Sequence, residues 1–274
     1  MSVLLKLVVF TIVLFSTGLS APVNEDGSID EDDIDITMHL SNFGYLPKID
    51  PQRPQLISNN QLSNAIRDYQ EYMGLEVTGK LDSQTKKQMA RPRCGIQDRV
   101  PPGPNGLSNF KLGGSRWKKR TLSYKITKYP SNFPRGDTDK TMQAAFDIWS
   151  RVTPLRFVKK GQNARVHIEI RFEKGSHGDD AAFDGPGQTL AHAYYPIASR
   201  WGGDAHFDDT ERWTINSAQG TNLLQTAAHE IGHSLGLDHS NIVGALMFPT
   251  LNSYQPNFEL HEDDIKAIQR LYPR

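Results

Sequence analysis

Residues 226–240 read Thr-Ala-Ala-His-Glu-Ile-Gly-His-Ser-Leu-Gly-Leu-Asp-His-Ser, and this stretch decides how the rest of the chain is read. Leu224, Ala227, Ala228, Ile231 and Leu235 recur at helical spacing, so one face of a helix is expected to pack on a core. His229 and His233 are four residues apart, which puts both imidazoles on one side of that helix, one turn above the other, able to share a metal ion. Gly236 ends the helix: a glycine can take positive φ and swing the chain round, so that His239 approaches the same ion from another direction. Three neutral nitrogen ligands leave a fourth position open, the arrangement of a catalytic rather than a structural zinc site. Glu230 would sit beside that position as general base for a bound water.

A bare H-E-x-x-H is a weak signal, and its plain alternative is an amphipathic helix with two partly buried histidines. The extension is more specific. With Gly236 and His239 at their set distances, and Leu246-Met247 following, the stretch resembles the H-E-x-x-H-x-x-G-x-x-H plus Met-turn pattern of the metzincin endopeptidases. That resemblance implies an α/β (α+β) catalytic domain with a twisted, mixed five-stranded sheet and three helices.

The chain has 274 residues, enough for one large or two modest domains. Its formal net charge is zero, so there is no electrostatic case for nucleic acid, and no basic helix argues for a membrane surface. Lys6, the apolar run Leu7 to Phe15 and Gly18-Leu19-Ser20, with small residues where a signal peptidase prefers them, read as a secretory signal cut after Ser20, too short and too soon polar for a span. A secreted protein with no membrane anchor is expected. Cys94 is the only cysteine, so no intrachain disulfide can form, and a lone thiol in an oxidising compartment needs another use.

Residues 24–35 carry seven acidic side chains and read as a solvated segment. Three helical patterns follow, at Ile36 to Phe43, Gln61 to Met73 and Asp82 to Ala90, with Asp82 as N-cap, and they suggest a small bundle. Phe43-Gly-Tyr-Leu-Pro47 and Tyr69 to Gly79 resemble the propeptide of matrix metalloproteinases, and Pro92-Arg-Cys-Gly-Ile-Gln-Asp98 resembles that family's cysteine switch. The resemblance implies that Cys94 fills the open zinc position in a latent form, while Arg93 pairs with a carboxylate of the catalytic domain and holds the loop down. The Pro- and Gly-rich residues 100–114 have a linker's composition and form the expected activation site, with a mature chain starting near Phe110 whose ammonium would pair with Asp263 or, as the second choice, Asp264. The domains are thus 1–20 signal peptide, 21–109 propeptide and 110–274 catalytic domain.

Thr121 to Ile126 matches the family's first strand, Thr141 to Val152 has helical spacing stopped by Pro154, and Val166 to Phe172 alternates as a half-buried strand. Leu190 to Tyr195 reads as an edge strand above the cleft. By resemblance, Ala191 and Ala193 on it receive an extended substrate as an added antiparallel strand, while Gln225 and Leu251 shape the specificity pocket. His177, Asp179, His192 and His206 make a closed four-ligand set that resembles the family's structural zinc site. Asp184, Asp208 and Glu211, with carbonyls of Gly185, Gly187 and Thr189, match its calcium site, giving two Zn²⁺ and at least one Ca²⁺. A second calcium site would use Asp204, but His167 stands where the family has an aspartate, and Arg200 and Trp201 replace glycines, so that site is expected to be weak.

The resemblance covers about residues 43–272 and ends on a helix from His261 to Tyr272; the expectation is a minimal, matrilysin-like form with no hemopexin-like domain. Its partners would be extended segments of extracellular proteins and protein inhibitors of metalloproteases, with the enzyme itself a monomer. Two rival readings are a catalytically silent binding module, which Glu230 opposes, and a helical peptidoglycan-binding module with an unrelated tail, which Cys94 and the two zinc sets oppose.

Overall fold

Asp35, Ser58 and Asp82 each accept a hydrogen bond from the amide three residues ahead, and a helix begins after each: α1 (Ile36–Asn42), α2 (Asn59–Tyr72) and α3 (Ser83–Met89). They belong to a computed structural model that describes residues 35–49, 57–99, 115–251 and 254–274. The expected signal sequence, the acidic run up to residue 34, and the 100–114 linker with Phe110 lie outside the described residues. The three helices bury Leu40, Phe43, Ile66, Tyr69, Met73 and Met89 in a core of their own, as the periodicity predicts. Phe248, from far along the chain, completes that core.

After α3 the chain enters β1 (Arg93–Cys94), and the larger half follows as β2 (Thr121–Lys128), α4 (Arg135–Val152), β3 (Arg156–Lys159), β4 (Ile168–Glu173), β5 (Thr189–Ala193) and β6 (Ala205–Asp208). A short ribbon of β7 (Trp213–Thr214) and β8 (Thr221–Asn222) leads into α5 (Leu223–Ser234), and α6 (Glu262–Leu271) closes the chain. The main sheet has six strands in the order β1-β5-β6-β4-β2-β3. Five belong to the larger half, the number the resemblance implied; the sixth, β1, is lent by the cysteine segment. β5 runs antiparallel to β6 and the remaining pairs are parallel.

One face of the sheet carries Leu122, Tyr124, Ile126, Ile168, Ile170 and Phe172, all buried, and packs on Met142, Phe146 and Trp149 of α4. α5 lies against α4 and β5, with Ala227, Ala228, Ile231 and Leu235 turned inward. Three details depart from the sequence reading. α4 starts at Arg135 rather than Thr141, because its first turn is polar and shows no apolar period. β3 and β6 were not predicted: β3 has only Phe157 turned to the core, and β6 is buried at every position and shows no alternation.

Gly232 is needed where α5 passes closest to the Met-turn. A Cβ there would lie 2.4 Å from Met247 Sδ and 3.1 Å from a ring carbon of Trp149, both buried. Gly232→Ala is expected to destabilise the protein by about 1–3 kcal/mol through overpacking. Chemical denaturation checks this, and an unchanged midpoint would show that Met247 yields without strain.

Candidate active site and metal centres

α5 ends as the sequence demands. Leu235 caps it, and Gly236 follows at φ 107°, where a Cβ would lie 2.1 Å from the Ser115 carbonyl oxygen. The reversed chain then delivers His239 beside the helix. Nε2 of His229 lies 3.1 Å from Nε2 of His233 and 3.3 Å from Nε2 of His239. An ion bound tetrahedrally at about 2.05 Å from each nitrogen would hold its ligand atoms about 3.3 Å apart, so the set fits zinc. Cys94 Sγ joins the three nitrogens, all four ligand atoms falling within 4.8 Å of one another.

The imidazoles are fixed from behind. His229 Nδ1 donates to the Leu246 carbonyl at 2.7 Å and His233 Nδ1 to the Leu237 carbonyl at 2.7 Å. A carbonyl only accepts, so Nδ1 carries the proton in both rings and Nε2 keeps its lone pair for the metal. Burial presses all three histidines towards the neutral form, His229 to about 3. The third ring differs: His239 Nδ1 donates to Asp98 Oδ1 at 2.9 Å, a carboxylate of the cysteine segment.

Asp98 is the residue whose role the sequence reading missed. It also accepts from Arg93 Nη2 at 2.6 Å and from the Tyr45 hydroxyl at 2.8 Å, in a place with no solvent exposure. Arg93 therefore pairs within its own segment, and not with a catalytic-domain carboxylate as the resemblance implied. Its guanidinium also covers the Phe43 ring at 3.3 Å. The latch is thus a buried chain from Phe43 through Arg93 and Asp98 to His239.

Backbone pairing holds the segment in the cleft. Arg93 and Gly95 amides donate to the Gln188 and Ala191 carbonyls, the Cys94 amide donates to the Pro249 carbonyl, and the Leu251 amide donates to the Pro92 carbonyl. β1 lies parallel to β5, the reverse of the direction expected for a substrate. Ala191 and Ala193 are buried in β5, while Gln225 and Leu251 line a pocket of about 20 Å³ beside His229. Gln225 Oε1 accepts from the Gln255 amide at 3.3 Å and so closes that pocket towards the loop.

Glu230 is buried, and neither carboxylate oxygen has a hydrogen-bond partner among the described residues. Burial pushes its carboxyl up to about 8, and burial together with Glu230 pushes the Cys94 thiol up. A divalent cation among the four ligand atoms reverses that pressure on the thiol, since a coordinated thiol is deprotonated outright.

The second group, His177, Asp179, His192 and His206, also converges. Asp179 Oδ2 lies 3.0, 3.1 and 2.8 Å from His177 Nε2, His192 Nε2 and His206 Nδ1. These spacings again match the edges of a tetrahedron around zinc, here with every position filled by protein. Asp208 ends β6, Asp184 lies in the loop before β5 and Glu211 in the loop after β6, and the three are not drawn as close as the two histidine groups. Burial pushes Asp184 up to about 6 and Glu211 up to about 7, and the carboxylates repel one another. Asp208 Oδ2 is buried without a partner, as a hard-cation ligand would be. Gly185 and Gly187 take φ of 96° and 118°, and the Gly187 amide donates to Glu211 Oε1 at 2.6 Å.

The Asp204 carboxylate accepts from the Glu169 amide at 2.9 Å. One nitrogen of His167 is engaged on β2: its Nδ1 contacts the Ser123 amide and hydroxyl at 3.0 and 2.9 Å. The Arg171 and Arg200 guanidiniums both lie over the Trp201 ring, adding positive charge to that loop.

The sequence is similar to known proteins. The family model described as Matrixin matches residues 116–273, and that of a putative peptidoglycan binding domain matches residues 30–89, the helical bundle. Macrophage metalloelastase of Rattus norvegicus is 42% identical over 99% of this chain and 56% of that protein. Interstitial collagenase of Equus caballus is 38% identical over 98% and 55%, and stromelysin-2 of Rattus norvegicus is 46% identical over 76% and 42%. The chain spans about half the length of the curated relatives it matches. Among the described residues no helix is long and apolar enough to cross a membrane.

The latch geometry gives a prediction. Cys94→Ser is expected to yield a zymogen that activates itself, because a hydroxyl binds zinc far more weakly than a thiolate. Asp98→Ala leaves Arg93 buried without its partner, a cost of about 3 kcal/mol or more, and should raise the open fraction roughly a hundredfold. Peptide hydrolysis before and after mercurial treatment reads both, and two variants as latent as the parent would remove the latch.

Proposed function

The chain belongs to the matrixin family, and from that premise we propose that it is a zinc-dependent endopeptidase made as a latent, secreted zymogen and acting on extended segments of extracellular proteins. The observation that carries this reading is the convergence of three buried Nε2 atoms and one thiol on a single point, with a carboxylate beside it. His229, His233 and His239 would hold the metal. Bound there, zinc supplies Lewis-acid polarisation of a carbonyl and a water of lowered pKa. Glu230 takes the proton of the attacking water and passes it to the leaving amine. β5 and the 249–251 wall hold the substrate backbone, and Gln225 limits how far a side chain can enter.

Latency follows from occupation. While Cys94 holds the fourth position and β1 the edge of β5, neither water nor substrate has a place. The reversed direction of β1 supports the view that the segment blocks the cleft without presenting a bond for cleavage. His177, Asp179, His192 and His206 would hold a second, structural zinc, and Asp184, Asp208 and Glu211 a calcium ion. Protein inhibitors of metalloproteases are proposed as partners because they too would enter along the β5 edge, and the working enzyme is proposed to be a monomer. Matrix proteins, collagen among them, are proposed substrates, since two of the relatives are named a metalloelastase and an interstitial collagenase.

Removing the base tests the chemistry. Glu230→Ala is expected to keep its zinc content and fold while losing roughly a hundredfold or more in turnover, measured on a quenched peptide after propeptide removal. Near-normal turnover in a folded variant would sink the assignment.

Calcium gives a second test. Asp184 and Glu211 hold protons more tightly folded than unfolded, so without calcium stability is highest at low pH and falls as pH rises through about 6 to 7. Calcium removes that loss, so its increment in Tm should be larger near about pH 8 than about pH 5.5. Calorimetric titration should find one firm ion, the site at Asp204 being weak; two equal sites would show that His167 was over-read.

A further inference from the structure

α5 ends inside the protein, so the oxygens at its C-terminus need partners that water cannot supply. Residues 231–237 are all buried, and a helix leaves its last carbonyls without intrahelical donors. The turn itself satisfies three of them: the Leu235 amide donates to the Ile231 carbonyl at 2.9 Å, the Leu237 amide to the Gly232 carbonyl at 3.0 Å and the Gly236 amide to the His233 carbonyl at 2.8 Å. The next two are met from elsewhere in the chain. Trp117 Nε1 donates to the Ser234 carbonyl at 2.8 Å, and the Tyr272 hydroxyl donates to the Leu235 carbonyl at 2.7 Å. The Trp117 amide in turn donates to the Tyr272 hydroxyl at 2.9 Å, which joins the two donors.

Packing fixes both donors. The Trp117 ring stands edge-on to His167 with centroids 5.4 Å apart, and a Cβ on Gly203 would lie 2.5 Å from one of its ring carbons. Tyr272 follows α6 and is buried in the main core. The segment that carries Trp117 is seated by Ser115, whose carbonyl Gly236 admits, and by the Arg116 guanidinium, which donates to the Leu271 carbonyl at 2.7 Å. What the two bonds hold is the link between two ligands: residues 234–238 join His233 to His239, and the Leu237 carbonyl within them accepts from His233 Nδ1.

We propose that Trp117 and Tyr272 are positioning residues for the metal centre of the cleft, fixing the turn that orients His233 and carries His239. Neither is among the four ligand residues, so both act through the backbone. With either donor gone, a buried carbonyl is left unpaired, a state that the turn relieves only by moving its oxygen towards another partner. Ser234 and Leu235 lie between the two histidines, so such a movement displaces the Leu237 carbonyl and the third ring together. Groups standing behind metal ligands are worth about 10–100-fold in affinity.

Another tryptophan marks the contrast with support of the fold in general. Trp149 Nε1 also donates to a carbonyl of α5, that of Ala228 at 2.9 Å, but this oxygen lies in the body of the helix, where the backbone ladder already serves it. The Ser234 and Leu235 oxygens lie past the ladder's end. A purely structural role predicts a lower Tm with an unchanged metal centre, whereas a positioning role predicts a disturbed centre in a folded protein. The role presupposes the zinc reading given above.

The full-length zymogen is tested with Co²⁺ in place of zinc, because a cobalt–thiolate charge-transfer band reports the cleft alone: Cys94 is the only cysteine. Tyr272→Phe removes a single oxygen and keeps the packing, and Trp117→Phe removes the indole donor. Each is expected to shift the band and to release cobalt to a chelator at least about tenfold faster than the parent. After propeptide removal, kcat on a quenched peptide should fall about tenfold, with KM changed by less than about twofold. Gln269→Ala, which removes a bond from α6 to the Val152 carbonyl, should match the parent in every readout. An unmoved band and parental release in folded Tyr272→Phe and Trp117→Phe, whatever their Tm, overturn the proposal alone. No thiolate band in the parent overturns the zinc reading and the proposal together.

Discussion

Three imidazole lone pairs pointed at one buried spot, 3.1 to 3.3 Å apart, are the constraint on which the rest of this structure depends. Three neutral acceptors facing each other have nothing to bond and no water to solvate them, so the arrangement costs free energy unless a cation fills it. Everything around it enforces the geometry. α5 sets two of the rings a turn apart, Gly236 turns the third back, and the Leu237 and Leu246 carbonyls decide which nitrogen carries the proton. Gly232 then lets the Met-turn come up against the helix from below.

The cysteine segment meets that same constraint twice. Cys94 offers the fourth ligand, and Asp98, four residues on, accepts from the back of His239. A single short segment therefore grips the metal centre from both the front and the rear. Arg93 makes this affordable: a buried carboxylate alone would be forced to take up a proton, but the guanidinium beside it holds Asp98 down to about 2. Phe43 and Tyr45 connect the pair to the helical bundle, so the packing of the bundle and the closing of the latch are one structure.

How much of this was legible in the sequence depends on how local each feature is. The catalytic histidines were readable because helical spacing and one glycine fix them within eleven residues. The four ligands of the second group are scattered over thirty residues and were found only by resemblance, although the fold draws Asp179 to within about 3 Å of all three histidines. Asp98 was quoted but given no role, because its partner is 141 residues away and nothing in a spacing marks such a contact. Arg93 was assigned a carboxylate on the wrong side of the cleft for the same reason. β3 escaped notice because an edge strand with one inward side chain has no pattern to show.

Removing the propeptide must therefore do more than uncover the metal. β5 loses the strand beside it and becomes an open sheet edge, Phe248 loses the apolar core in which it is buried, and His239 loses the carboxylate behind its ring. Glu230 gains solvent, which relieves the burial that raises its pKa and returns the carboxyl towards the range of a general base. A bound peptide of the proposed kind would restore each loss in kind: backbone for the open edge and apolar surface for the uncovered pocket. On the function proposed above, the propeptide and a substrate would compete for the same unsatisfied groups, and the direction of the strand would decide which of them is held and which is cut.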